Sequence, residues 1–161
     1  MIKELTLVSL LTVAPDPQAY CLALNVYHEA RNQAFAGQLA VANVVINRVN
    51  DERFPNNVCD VVTQGPTRPS WKGTGELIPV RNRCQFSWYC DGKSDTPLEK
   101  NHFNTIYSFS YKMLNSNVSI DITNGATHYH ADYVNPSWSS SKTRTVEIED
   151  HIFYRWEYNN D

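Results

Sequence analysis

At 161 residues, 42% of them hydrophobic, the chain has the length of one domain and enough apolar mass for a packed core. A net charge of −3 with no long basic run argues against a nucleic-acid partner. It also gives no overall pull toward an anionic membrane or polymer, so any negatively charged partner would have to be gripped locally.

The opening stretch, MIKELTLVSLLTVAPDPQA, sets one lysine before an apolar run and then Ala and Pro. Residues 1–16 read either as a short signal-like segment or as a first amphipathic helix; Glu4 and the lack of a small-x-small site count against the signal. No stretch reaches the roughly 20 apolar residues of a membrane span. Asp16 followed by Pro17 marks a helix start, an N-cap side chain and then proline at the first helical position. From there Ala19, Leu22, Ala23, Val26 and Ala30 recur at helical spacing. Glu29 falls at the edge of that stripe and faces the seam between core and solvent.

Gly37 is expected to break the path to a second helix, GQLAVANVVINRVN, whose apolar character nearly all round predicts a buried central helix. Asn43 and Asn47, four apart on one face, then need partners, and the backbone of a neighbouring loop is the simplest source. A short helix is expected over residues 57–64. Residues 65–95 are rich in Gly, Pro, Ser, Arg and aromatics, a long loop of the kind that carries binding or catalysis. A third long helix is expected from Pro97 to Leu114. RTVEIEDHIFYRWEY alternates on both sides of Glu149–Asp150 and reads as a hairpin. The fold class is α+β, mainly α, with a small C-terminal β-hairpin, in a single domain over residues 1–161.

Several patterns carry chemistry. A carboxyl beside apolar surface keeps its proton to higher pH and can donate it to a glycosidic oxygen, which makes Glu29 a candidate acid. The plain alternative is a solvated helix-end glutamate paired with Arg31. Nine Tyr, 6 Phe and 4 Trp suit a carbohydrate cleft about as well as they suit a Tyr-rich core. A second carboxylate, as two-acid glycosidases use, would come from Asp91, Asp95 or Asp132. His128 and His130 share one side of a strand and raise zinc, with His28 or Asp132 as a third ligand; HExxH is absent, and no metal or cofactor is expected. Cys21, Cys59, Cys84 and Cys90 permit three disulfide connectivities or none, and a Cys84 or Cys90 nucleophile is the weakest reading.

NVYHEARNQAFAGQLAVANVVINRV, followed in order by RFPNNVCDVV, CQFSWYCDG, GATHYHADYVNPSW and IEDHIFYRW, resembles the SleB/CwlJ-type cell-wall hydrolases, a family of spore-cortex-lytic enzymes and related bacterial and phage peptidoglycan hydrolases. The resemblance implies a compact lysozyme-like or lytic-transglycosylase-like domain that cuts glycan between N-acetylmuramic acid and N-acetylglucosamine. It implies Glu29, in the family's EAR motif, as the catalytic acid. In QFSW, Gln85 and Ser87 would meet substrate, alternating in an extended segment with Phe86 and Trp88; Trp88 is counted with the substrate-binding group. Thr127, Tyr129 and Asn135 are assigned to the sugar, with Pro136 and Trp138 on the rim. Two departures stand out: Asn32–Gln33 replaces a common Gly-Glu, which removes a second acid, and IEDH replaces IGxH, which concerns a turn. Peptidoglycan is the expected partner, met by a monomer at the cell wall or periplasm after export or release by phage lysis machinery. A non-catalytic wall-binding module and a zinc amidase are the competing readings.

Overall fold

The computed structural model of the protein describes residues 14–117 and 120–159. The signal-like or helical reading of the N-terminus therefore lies outside the described residues, apart from 14–16. The first helix, α1 (Pro17–Ala30), starts as expected: the Asp16 carboxylate accepts the Ala19 N–H at 2.8 Å and Pro17 takes the first helical position. The apolar stripe of α1 is buried throughout, and Asn25 and Tyr27 are buried as well, so this helix is covered on more than one face.

The break after α1 falls at residues 31–34, and Gly37 lies inside α2 (Phe35–Val49) rather than between the helices. Close approach explains the glycine: a Cβ there would sit 2.8 Å from Gln33 Cβ and 3.2 Å from Glu149 Cγ. As its sequence predicts, α2 is the central element. One side meets α1 and α3 (Val58–Val62), while Ala40 and Val44 on another side pack with Ala126 and Phe153 from the sheet layer. The two amides find loop backbone. Asn43 Nδ2 donates to Ile120 O at 2.8 Å while its Oδ1 accepts the Ile122 N–H at 3.1 Å. Asn47 Nδ2 donates to Asp121 Oδ2 and Ala126 O, each at 2.9 Å.

The 65–95 segment has structure of its own. Strands β1 (Thr67–Pro69) and β2 (Leu77–Pro79) form a small antiparallel hairpin, and residues Ser87–Cys90 make a 3₁₀ turn where an extended strand was expected. Burial still alternates from Gln85 to Trp88, because Phe86 and Trp88 are the inward residues of this stretch. Helix α4 (Lys100–Asn115) begins three residues after Pro97 and buries Phe103, Ile106 and Ser110 in its packing against α1. The C-terminal hairpin, β4 (Thr143–Ile148) and β5 (His151–Arg155), is joined by a third strand, β3 (His128–Ala131), in the antiparallel order β3-β5-β4. Its turn puts Glu149 at φ 51°, a conformation that favours glycine.

The cysteines pair as Cys21–Cys59 and Cys84–Cys90. The first ties α1 to α3 across 38 residues; the second closes the loop around the 3₁₀ turn, so neither Cys84 nor Cys90 is a free thiol. Loop-closure entropy for a bridge of that span amounts to about 2–4 kcal/mol. The Cys21→Ser/Cys59→Ser variant should lose stability of that size in urea unfolding, and Cys84→Ser/Cys90→Ser, with its six-residue separation, should lose less.

Candidate active site

Glu29 lies in the last turn of α1, half-buried, where the helix presents its carbonyl ends and disfavours an anion. Its Oε2 accepts a 2.8 Å hydrogen bond from Tyr129 Oη on β3. Arg31 is not its partner: it pairs with Glu99 at 3.4 Å and lies over the Tyr27 ring. Burial raises the Glu29 carboxyl above the ordinary glutamate value, while the Tyr129 hydrogen bond, then His28, then Arg48 pull the other way. Burial outweighs the three. The same three groups would stabilise the carboxylate once its proton has left. The residue is thus suited to giving a proton and to taking one back.

The supporting groups are themselves held tightly. The Tyr129 ring packs against His151 and Phe153, with centroids 4.9 and 5.5 Å away. Burial first, and then the neighbouring Glu29, push its phenol well above the ordinary tyrosine value, so it remains a donor at neutral pH. Arg48, from α2, is buried with its guanidinium 5.0 Å from the Phe54 ring and 5.3 Å from the Phe86 ring. Its Nε donates to Thr127 O at 2.7 Å and its Nη1 has no hydrogen-bond partner. Burial lowers it to about 10, which leaves it cationic at neutral pH. His28 stacks on Trp88 at 4.8 Å and donates from Nε2 to Asp95 O at 2.9 Å. Trp88 in turn donates from Nε1 to Asn25 Oδ1 at 2.9 Å.

Two depressions meet over the end of α1. One, of about 290 Å³, is lined by Glu29, Gln33, Tyr133, Asp150 and His151 among others. The second, of about 430 Å³, is lined by Tyr27, Ser87, Trp88, Asp91, Lys93 and Leu98 among others. His28 and Arg31 line both, so the two read as one groove crossing the acid.

Of the residues assigned from sequence, the structure brings Glu29, Tyr129, Ser87 and Trp88 to this groove, Trp88 as a buried anchor beneath His28. Gln85 is exposed outside both depressions, its backbone N–H bonded to Gln64 O. Asn135 is exposed in the turn that follows β3 and accepts from Ser139 Oγ at 3.4 Å. Thr127 is buried; its hydroxyl meets His128 Nδ1 and Trp156 N, and only its carbonyl reaches the site, through Arg48.

His128 and His130 share a face of β3 as the pattern predicts, opposite Tyr129. His128 sits among Phe54, Trp138 and Trp156 and is lowered to about 3 by burial and then by the Arg48, Lys142 and Arg53 charges; His130 bonds Tyr154 Oη at 2.9 Å. Among the described residues no three His, Cys, Asp or Glu side chains are grouped to hold a metal ion.

Sequence reasoning missed Arg48, Asp150 and His151 as neighbours of the site. Arg48 had a signal, a lone cation in an otherwise apolar helix. Gln33 and Asp150 show their relation only in three dimensions: Gln33 Nε2 donates to Asp150 Oδ2 at 3.3 Å, and Asp150 N–H donates to Gln33 Oε1 at 3.4 Å. The turn thereby brings the Asp150 carboxylate to the depression beside Gln33. Buried His151 leaves Nδ1 without a partner.

Residues 32–154 match the Cell Wall Hydrolase family. Spore cortex-lytic enzymes are similar over short stretches. That of Halalkalibacterium halodurans is 45% identical over 47 residues, 29% of this chain and 14% of that protein. That of Bacillus subtilis is 49% identical over 41 residues, 26% and 13% of the two chains. The aligned stretches thus span well under a fifth of these curated relatives. The catalytic domain of the germination-specific lytic transglycosylase SleB from Bacillus anthracis shares the fold with a TM-score of 0.62 and 25% identity, over 89% of this chain and 98% of that one. The SleB catalytic domain of Bacillus cereus gives a TM-score of 0.57 and 25% identity, over 89% and 94%. With the match covering most of its length and its architecture shared with these catalytic domains, the chain belongs to the cell wall hydrolase family.

Proposed function

We propose that the chain, acting as a single catalytic domain, cleaves the glycan strand of peptidoglycan between N-acetylmuramic acid and N-acetylglucosamine, with Glu29 as general acid and then general base. The observation that carries this reading is one half-buried carboxyl, raised by burial, hydrogen-bonded by Tyr129 and lining a surface depression. Glu29 gives its proton to the bridging oxygen as the C1–O bond breaks. The electron-poor C1 is then attacked, and the Glu29 carboxylate takes the proton of the attacking hydroxyl. If the attacker is the muramic acid's own 6-hydroxyl, the product is a 1,6-anhydro end and no second carboxylate is required. That route suits a site where Glu29 is the acid held up by burial while Asp150 stays exposed in the turn. The likeness to a lytic transglycosylase domain supports the same choice. Attack by water would instead leave a reducing end, and mass spectrometry of digested murein separates the two. Two disulfides suit work in an oxidising compartment at the wall, reached by export or by phage-driven release.

Glu29→Gln should fold and lose about 10²–10⁴-fold in the rate of murein clearing. Clearing at the wild-type rate would remove the proposal, and binding without clearing by the wild type would favour a wall-binding module.

The acid works while protonated, so activity should fall as pH rises through its raised value. Tyr129→Phe removes a hydrogen bond that favours the anion, and the alkaline limb of kcat/KM should move to higher pH even as the maximum rate drops.

Stability should show the same group. The folded state holds more protons than the unfolded one between the ordinary value of 4.5 and the raised folded value, so stability falls as pH rises across that window and stays lower above it. Glu29→Gln should therefore melt higher than wild type at neutral pH, and the difference should shrink below pH 4.5.

A further inference from the structure

The groove's outer wall continues into a segment whose charge is opposite to that of the whole chain. Residues 65–93 hold Arg68, Lys72, Arg81, Arg83 and Lys93 against Glu76 and Asp91, a net +3 in a chain of −3. All five cations are exposed, and among the described residues none enters an ion pair. The β1–β2 hairpin pairs with itself, and residues 66–77 are exposed apart from the half-buried Ser70. Trp71 at its tip is 82% exposed, with Lys72 Nζ 5.9 Å from the ring centre. Gly73 and Gly75 in the tip have open space where a Cβ would be.

The root of this arm is fixed to the groove. Val80 N–H donates to Pro66 O and Asn82 N–H to Cys90 O, each at 2.9 Å, and the Cys84–Cys90 disulfide closes the same loop. The Arg81 guanidinium lies against Gly92, 3.0 Å from where a Cβ would stand, between Asp91 and Lys93 of the groove lining. Cations thus run from the groove wall out to the tip.

We infer that the hairpin is an arm that grips murein beyond the cleft: its cations take the carboxylates of stem peptides borne by the strand in the groove, and Trp71 lies against the chain beside them. This rests on the proposed glycan-strand activity. The placement favours murein over a bilayer, because a bilayer would meet the tip alone and leave Arg81 and Lys93 without a counter-charge.

The test is co-sedimentation with purified sacculi in a Glu29→Gln background, comparing it with added Arg68→Gln/Lys72→Gln, two changes on the exposed arm, after thermal melts confirm equal folding. The double change should weaken binding to intact sacculi by about three- to tenfold, the sum of two exposed charge contacts. It should leave binding to peptide-free glycan strands unchanged, and flatten the loss of binding between about 50 and 300 mM salt. Unchanged affinity for sacculi, an equal loss on peptide-free strands, or a loss confined to anionic phospholipid vesicles would each overturn the inference. Clearing assays of Glu29→Gln alone report on the acid separately, so either idea can fail while the other stands.

Discussion

The hydrogen bond from Tyr129 Oη to Glu29 is the constraint around which the rest is arranged. It spans the seam between the helical layer and the sheet, joining the last turn of α1 to β3. A carboxyl in such a seam loses hydration, which favours its neutral form, yet Glu29 still lines a surface depression. The phenol cannot be replaced by water at the same cost, since its ring is packed against Phe153 and His151 and its position is set by the sheet. A donor fixed in this way needs no reorganisation when the anion forms, and such preorganised donors are effective in catalysis.

Helix α2 makes that arrangement hold. It is apolar on the faces toward both layers, and its few polar side chains are spent on fastening loops: Asn43 and Asn47 bind the backbone of 120–126, and Arg48 binds the carbonyl of Thr127. These bonds fix the approach to β3 and hence Tyr129. Arg48 adds a cation that is too enclosed by Phe54 and Phe86 to be well hydrated, so its field on Glu29 is poorly screened. Burying a charge with an orphaned Nη1 is costly, and a position beside a carboxyl that must become an anion gives that cost a purpose.

The groove has two unlike walls. On one side Gln33 and Asp150 hold each other across the β4–β5 turn, which bends through a left-handed Glu149 and packs near Gly37. Residues 32–33 and the 149–150 turn, far apart in the chain, thus touch in space. On the other side lies the cationic 65–93 segment, tied down by a disulfide. Asp150 and the cationic 65–93 segment thus lie on opposite sides of Glu29, so the net charge of the chain says little about the local field.

Period and punctuation in the sequence were enough to determine the helices, the central place of α2, the loop-binding amides and the C-terminal hairpin, because each follows from contacts within a few residues or from burial of an apolar face. The EAR block and its companions pointed to the cell wall hydrolase family. The sequence did not determine the helix break at 31–34, the 3₁₀ turn at 87–90 or the pairing of the 128–131 strand with β5, since these depend on close approach and on contact with distant segments. Nor did it show Arg48, Asp150 and His151 around the site, or the displacement of Gln85, Thr127 and Asn135 from it. Side chains 100 or more residues apart meet only when layers pack, and a pKa is a property of that packing, so the environment of Glu29 was decided by the tertiary structure.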